Sequence, residues 1–261
     1  RSEAYYQAKS TIFNALIEAI DLAQLARLDA DAARAEIRDI VNELKRRNIL
    51  RNTYFIFTSD NGYFVGEHRF SRGKLLPYEP ALRVPMVIRG PGIRKGTASV
   101  EPMANQDIAP TLMALAGSRP GRGVDGRSMI PYWKNPKKKS RRPILISSYQ
   151  LSTHLIPGDY PPDTPDPVQA RKQKGAQASG KAANQNYVGI RLGPYKYVEY
   201  ESGDGELYIL SRDPAEQYNR YGNPRYAKIQ RYLDDQLEIL RGCKGKSCRA
   251  EAPTWPGLPG G

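Results

Sequence analysis

Cysteine is scarce, with two residues in a chain of 261. That excludes a disulfide-dense miniprotein. Histidine is equally scarce, at two, and neither stands near the cysteines, so a zinc site there lacks ligands. No apolar run approaches the ~18 residues of a membrane-spanning helix, so no membrane span is expected. Acidic residues are the minority, 27 against 40 Lys and Arg, for a formal net charge of +13. An acidic disordered protein is thereby excluded, and a basic binder of some polyanion stays open. A Walker-type phosphate loop and a Gly-x-Ser-x-Gly elbow are both absent. The chain starts at Arg1 without a methionine or an apolar signal stretch. A processed chain, or a piece of a longer one, is the expectation.

What is present is α/β in character. Twenty-one prolines and 23 glycines exclude a coiled coil, and the length suits one to two domains of about 150 residues. Residues 3–48 read as helix, with Ile12, Ala15, Leu16, Ala19 and Ile20, then Ile37, Ile40, Val41 and Leu44, at helical spacing. Asp29 or Asp31 offers an N-cap, and Lys45, Arg46 and Arg47 suit the helix end. The run Thr53–Thr58 reads as a strand buried on both faces. It stops at Ser59-Asp60-Asn61-Gly62, and ligands of open α/β sheets gather at such strand ends. Val84–Arg89 is a second strand, residues 102–116 a helix with Pro110 in its first turn, and 117–143 a loop. Further on, Ile144–Tyr149, Val188–Ile190, Tyr195–Tyr200 and Glu206–Leu210 read as short strands. A proline-rich loop spans 157–186, and an amphipathic helix spans Arg225–Arg241.

Few residues carry chemistry. Asp60 and Asn61 are adjacent oxygen donors that suit a hard cation such as Ca²⁺; the alternative is an Asx turn. His68, in a polar loop, is a proton carrier or a surface histidine. Lys74 is an anion ligand or a solvated charge. Cys243 and Cys248 enclose four residues including a glycine, a spacing compatible with a small disulfide loop in an oxidising compartment; two reduced thiols are the alternative. The basic runs Lys137–Arg142 and Arg171–Lys181 lack interleaved aromatics and read as solvated loops, so no nucleic-acid partner is expected.

Read in order, Thr53–Gly62, Gly66-Glu-His68, Gly73-Lys74, Tyr78-Glu79, Arg83-Val-Pro85 and Arg89–Gly92 resemble the formylglycine-dependent sulfatases of the alkaline phosphatase superfamily. Asn105–Leu112, Gly123–Ser128, Arg191–Tyr197, Glu206–Tyr208 and Asp213–Glu216 extend the resemblance. Cys243-x-x-x-x-Cys248-Arg249 is similar to the end of N-acetylglucosamine-6-sulfatases, which implies a sulfated aminosugar substrate. The resemblance implies that Asp60 and Asn61 are half of a Ca²⁺ site and that Lys74 binds sulfate. It also implies that His68 contacts substrate or helps protonate the leaving alcohol. The family nucleophile is a formylglycine made from Cys or Ser in Cys/Ser-x-Pro-x-Arg. The chain is read as lacking both forms, along with an Asp-Asp metal pair and a Lys and His expected upstream; Asp234-Asp235 is the wrong pair.

The expectation is thus the C-terminal part of an alkaline-phosphatase-like α/β domain in residues 1–140. A smaller subdomain of antiparallel sheet plus helix is expected in 141–261. The parent would hydrolyse sulfate esters, such as those of sulfated carbohydrates, in a secreted, lysosome-like or other oxidising setting. The isolated chain would be inactive. A phosphonate or phosphate ester hydrolase of the same superfamily, or a non-catalytic polyanion binder, are the alternatives.

Overall fold

The computed structural model describes residues 30–70, 73–121, 123–148 and 186–255. The helix expected before residue 30, the Asp29 cap, the proline-rich loop and the run Arg171–Lys181 lie outside them. The chain divides into two compact units, one of residues 1–55 with 89–91, the other of 56–88 with 92–261.

In the first unit, α1 (Ala30–Arg46) carries Lys45 and Arg46 in its last turn, where cations meet the negative end of the helix dipole. Asp31 lies inside this helix rather than at a cap. Glu43 takes hydrogen bonds from Arg46 and Arg47 at 2.7 and 2.5 Å. The Tyr54 hydroxyl donates to the Pro91 carbonyl at 2.8 Å. Its ring fills the space where a Cβ on Gly90 would sit, 2.1 Å from a ring carbon.

β1 (Phe55–Thr58) and β2 (Met86–Arg89), which fall in the second unit except for Phe55 and Arg89, are neighbours in a two-stranded sheet. Their alternate residues Ile56, Met86 and Ile88 pack on Met129, Tyr132 and Trp133. Tyr132 and Trp133 come from α4 (Ile130–Lys134), a helix inside the stretch read from sequence as loop. The intervening helices are α2 (Glu79–Leu82) and α3 (Ile108–Leu115). Burial of β1 on both faces is not observed. Strand side chains alternate between faces, and Phe57 and Val87 on the second face are 65% and 63% exposed.

β3 (Ile144–Ser148), β4 (Tyr187–Leu192), β5 (Tyr195–Tyr200) and β6 (Gly205–Ile209) form one antiparallel sheet in sequence order. The register pairs Ile190 with Tyr197 and Tyr197 with Leu207. This row faces α5 (Ala227–Arg241), whose Ile229, Leu233, Leu237 and Leu240 form the stripe read from sequence. The opposite face presents Val198, Tyr200 and Tyr208, and Phe64, Leu76, Tyr78 and Ala81 pack on it. Both faces of the sheet are therefore covered, one by a helix and one by the irregular segment that follows β1.

The basic run 137–142 divides in two. Lys137, Lys138 and Lys139 are exposed, as expected of a solvated loop. Arg142 is not: it is buried against Asp107, because a carboxylate 35 positions earlier supplies the counter-charge.

Cys243 and Cys248 are joined by a disulfide. The small loop they close lies just past α5. Gly245 donates to Asp125 at 2.6 Å, and the Arg249 guanidinium to the Gly126 carbonyl at 3.3 Å. Closing so short a loop restricts the unfolded chain by about 2 kcal/mol. Replacing both cysteines with serine is expected to lower stability by about that much, measured by urea unfolding with and without reductant.

Candidate active site

β1 ends at Thr58, and the chain turns at once. The Ser59 hydroxyl bonds Asp60 Oδ1 at 3.2 Å, and the Asn61 N–H donates to the same oxygen at 2.9 Å. The Asp60 carboxylate thus accepts from the next residue rather than from the one two positions on, so the chain bends at Asp60 without the Asx turn offered as the alternative. Gly62 follows because its N–H donates to the Ala81 carbonyl at 2.9 Å. A Cβ there would lie 1.9 Å from the Pro80 carbonyl oxygen.

From Gly62 the chain enters a loop closed by the pair Phe64 and Gly73, with Phe64 N–H to Gly73 carbonyl at 2.7 Å. This closure returns Lys74 toward the strand end. Its Nζ donates to Asn61 Oδ1 at 2.9 Å. Three of the residues singled out from sequence, Asp60, Asn61 and Lys74, are therefore brought together. The Asn61 N–H, the Ser59 hydroxyl and the Lys74 charge hold the Asp60 carboxyl below its ordinary range, so it is an anion at neutral pH. The Asn105 amide approaches the Asp60 carbonyl at 3.4 Å. Sequence reasoning counted Asn105 in a motif without giving it a place at the site.

His68 stands apart from that trio. Among the described residues, no hydrogen bond or ion pair joins it to Asp60, Asn61 or Lys74. Its backbone is left-handed, with φ +52°, and that of Arg69 also, with φ +65°. Its ring stacks on Tyr78, centroids 4.0 Å apart and planes 15° apart. Burial first, then the charge of Lys196, lowers its pKa; Asp213 and Glu67 oppose them. The imidazole is neutral at pH 7. Below pH 6.5 the unfolded chain takes up this proton before the folded one does, so acidification through that window removes stability.

The pattern Ser-x-Pro-x-Arg does occur, as Ser118-Arg119-Pro120-Gly121-Arg122, which corrects the reading that the chain lacks it. Its structure explains it as a helix stop. Gly117 has φ +66° just past α3, and the Ser118 N–H donates to the Met113 carbonyl at 2.8 Å. Proline shortly after such a glycine is the usual end of a helix. Asn105, which reaches Asp60, precedes α3, whereas Ser118 lies beyond its far end, about 12 Å of helix rise away. Neither cysteine begins a Cys-x-Pro-x-Arg string.

One carboxylate cluster lies elsewhere. Glu199, Asp234 and Glu238 have oxygens within 4.8 Å of one another. Arg241 pairs with Glu199 and with Glu238, and the Tyr197 hydroxyl donates to Glu199 at 2.6 Å. Arg241 thus balances two of these three acids, and burial together with the neighbouring Glu199 raises the Asp234 pKa.

The sulfatase family model matches residues 24–118, the stretch that contains Asp60, Asn61, His68 and Lys74. An arylsulfatase of Chlamydomonas reinhardtii is 32% identical over 81% of this chain and 33% of its own length. An N-acetylglucosamine-6-sulfatase of Bos taurus is 28% identical over 96% of this chain and 46% of its own. Among solved structures, a protein in complex with its substrate D-glucosamine-2-N,6-O-disulfate matches with a TM-score of 0.64. It is 26% identical and covers 82% of this chain and 38% of that one. A phosphonate monoester hydrolase of Agrobacterium radiobacter matches with a TM-score of 0.57 at 25% identity, over 79% of this chain and 38% of its own. The chain belongs to the sulfatase family of the alkaline phosphatase superfamily. It has an α/β fold corresponding to the C-terminal part of these neighbours. It spans about a third to a half of the length of the two curated relatives named above. Among the described residues, no helix is long and apolar enough to cross a membrane.

Proposed function

We propose that this chain supplies the metal-oxygen, sulfate-clamp and proton-transfer side chains of a sulfuric ester hydrolase, with the nucleophile coming from outside these 261 residues. One observation carries the reading. The Lys74 ammonium lies 2.9 Å from Asn61 Oδ1, beside the Asp60 carboxylate, at the carboxyl end of a strand. Cation and hard oxygens thus converge where a sulfate ester would lie.

The donor set fits Ca²⁺, which takes oxygen ligands. Asp60 and Asn61 would hold it, and four to six further oxygens must come from other residues or water. When bound, such an ion polarises sulfate oxygens. Lys74 would offset the charge that grows on sulfate and on the leaving oxygen. His68 would hydrogen-bond the leaving oxygen or, in the fraction that carries a proton, help protonate the leaving alcohol. Residues 1–140 would belong to the catalytic domain, and 141–261 would be the smaller subdomain that seats it. The N-acetylglucosamine-6-sulfatase relatives and the solved complex with a 6-O-sulfated glucosamine favour a sulfated aminosugar. The disulfide, and a Drosophila melanogaster relative named as an extracellular sulfatase, 41% identical over 36% of this chain, favour a secreted or lysosome-like setting. The +13 charge accords with a sulfated carbohydrate partner, as it would with any polyanion.

The test is hydrolysis of 4-nitrocatechol sulfate and of a 6-sulfated aminosugar. The chain alone is expected to show no turnover. A longer enzyme that joins it to a sulfatase nucleophile region is expected to be active. In that enzyme Lys74→Ala should lower kcat/KM by about 10²–10³-fold, and Asp60→Ala should remove the response to added Ca²⁺. Turnover by the chain alone, or activity indifferent to both changes, would sink the reading. The phosphonate monoester hydrolase neighbour supports a second reading, cleavage of phosphonate or phosphate esters by the same groups. Parallel assays with a phosphonate monoester decide it by the larger kcat/KM. Binding of sulfated polymer with a steep salt dependence and no turnover in the longer enzyme would instead mark a polyanion binder.

A further inference from the structure

Tyr78 is held by more contacts than a core aromatic needs. Its ring is edge-on to Phe64 at 6.2 Å and tilted against Tyr208 at 6.2 Å. The Lys196 ammonium lies 5.5 Å from its ring centroid. Its hydroxyl donates to Glu206 Oε1 at 2.8 Å, across 128 positions of sequence. Glu206 is itself buried, on β6, and burial raises its pKa while the Tyr78 hydroxyl bond and the Lys196 charge pull the other way. The one face of Tyr78 described as stacked carries the His68 imidazole, 4.0 Å away and nearly parallel.

The histidine side of this contact is also constrained. Gly66, His68 and Arg69 all have positive φ, at 133°, 52° and 65°. Left-handed backbone at two consecutive non-glycine residues is unfavourable and persists only where surrounding structure enforces it. Glu67 braces the same turn, its carboxylate accepting the Val65 N–H at 2.7 Å. The charged or titratable groups that act on the ring are Lys196, Asp213, Glu67 and Tyr78.

We propose that Tyr78 is the positioning residue for His68. On this proposal its phenol, pinned to Glu206 of the C-terminal sheet, fixes the imidazole in a strained loop at the orientation in which it serves the leaving group. Plain packing would need neither the buried carboxylate on the phenol nor two left-handed residues under the imidazole. The catalytic meaning rests on the function proposed above; the positioning does not.

The first measurement uses the chain itself. With only two histidines, His68 is resolved in a proton NMR spectrum, with its assignment fixed by His68→Gln. Ring stacking predicts His68 ring protons displaced upfield of a free imidazole. Tyr78→Leu should abolish that displacement. Tyr78→Phe, which keeps the ring and cuts the link to Glu206, should reduce it. Glu206→Gln, which keeps an acceptor, should preserve it. An undisplaced wild-type His68, or a displacement unchanged in Tyr78→Phe, overturns the proposal. The Phe variant decides the matter where Tyr78→Leu fails to fold. The second measurement uses the longer enzyme. There Tyr78→Phe should lower kcat by up to about 10²-fold with KM unchanged and move the histidine limb of the pH–rate profile. An unmoved limb with a raised KM overturns the catalytic meaning. A longer enzyme that cleaves no sulfate ester fails the functional reading while leaving the NMR result intact, so the two failures are distinguishable.

Discussion

Asp107→Ala is expected to lower the unfolding free energy by about 3–5 kcal/mol, the cost of leaving a buried charge without its partner. Asp107 is wholly buried, and Arg142 is 4% exposed. One carboxylate oxygen accepts the Arg127 N–H at 2.9 Å and an Arg142 N–H at 2.8 Å; the other accepts the Ala104 N–H at 3.0 Å and the second Arg142 N–H. The carboxylate therefore ties three segments together: the turn before α3, the Arg127 strand of loop, and the entry to β3. Removing it strands a guanidinium in the interior along with two backbone donors. Arg142→Leu should cost less, because the carboxylate keeps both backbone N–H groups. The double change should recover part of the loss. Urea midpoints that fall with an unchanged m-value would report this directly. A loss under about 1 kcal/mol would mean that water reaches the pair, as it does for exposed ion pairs.

Glu216→Ala should cost a similar amount, about 3–5 kcal/mol at pH 7. Lys196 is wholly buried, its ammonium paired with Glu216 and donating to the Pro77 carbonyl at 2.5 Å. The second Glu216 oxygen accepts the Glu79 N–H at 2.7 Å, at the start of α2. Glu216 has φ +54°, so it keeps an unfavourable backbone to make these contacts. Burial lowers the Lys196 pKa, and the carboxylates of Glu79 and Glu206 resist. Without Glu216 the folded-state value falls further. Between that value and the ordinary ~10.4 the unfolded chain binds the extra proton. The variant's stability should therefore rise with pH across that range; the wild type's Lys196, lowered to about 7, does the same above that pH, so the deficit should narrow below about 7 and stay level above it. Neutralising both positions with Lys196→Met and Glu216→Gln should be milder than Glu216→Ala alone. A deficit that widens with pH would overturn this account.

These two predictions mark where the sequence was opaque. Elements with a strong local signal were legible: the strand that precedes Asp60-Asn61, the strand Tyr195–Tyr200, and the apolar stripe of α5. Asp60, Asn61 and Lys74 were singled out through the family resemblance, and the structure adds the contact between Lys74 and Asn61. Buried charge was not legible. In a chain of net charge +13 an Arg or Lys reads as solvated, and nothing local distinguishes Arg142 from Lys139. The partners of Arg142 and of Tyr78 lie 35 and 128 positions away. Local pattern sees neither. The exposure of Phe57 failed for a related reason, since alternation gives the two faces of a strand without saying what covers each. The string at Ser118 shows the reverse error: a pattern is only a string until its place on a helix end is known.

The long-range seat of the site loop has a consequence for synthesis. Phe64, Leu76 and Tyr78 leave the ribosome well before the sheet that covers them. Glu206 follows Tyr78 by 128 residues, which at about 5–20 residues per second is a wait of about 6–26 s. During that interval the nascent chain shows water an apolar segment whose only described cover has yet to be made. The emerging polypeptide thus has a defined window in which a holdase can bind, and a message broken before the codon for Glu206 yields a loop with nowhere to dock.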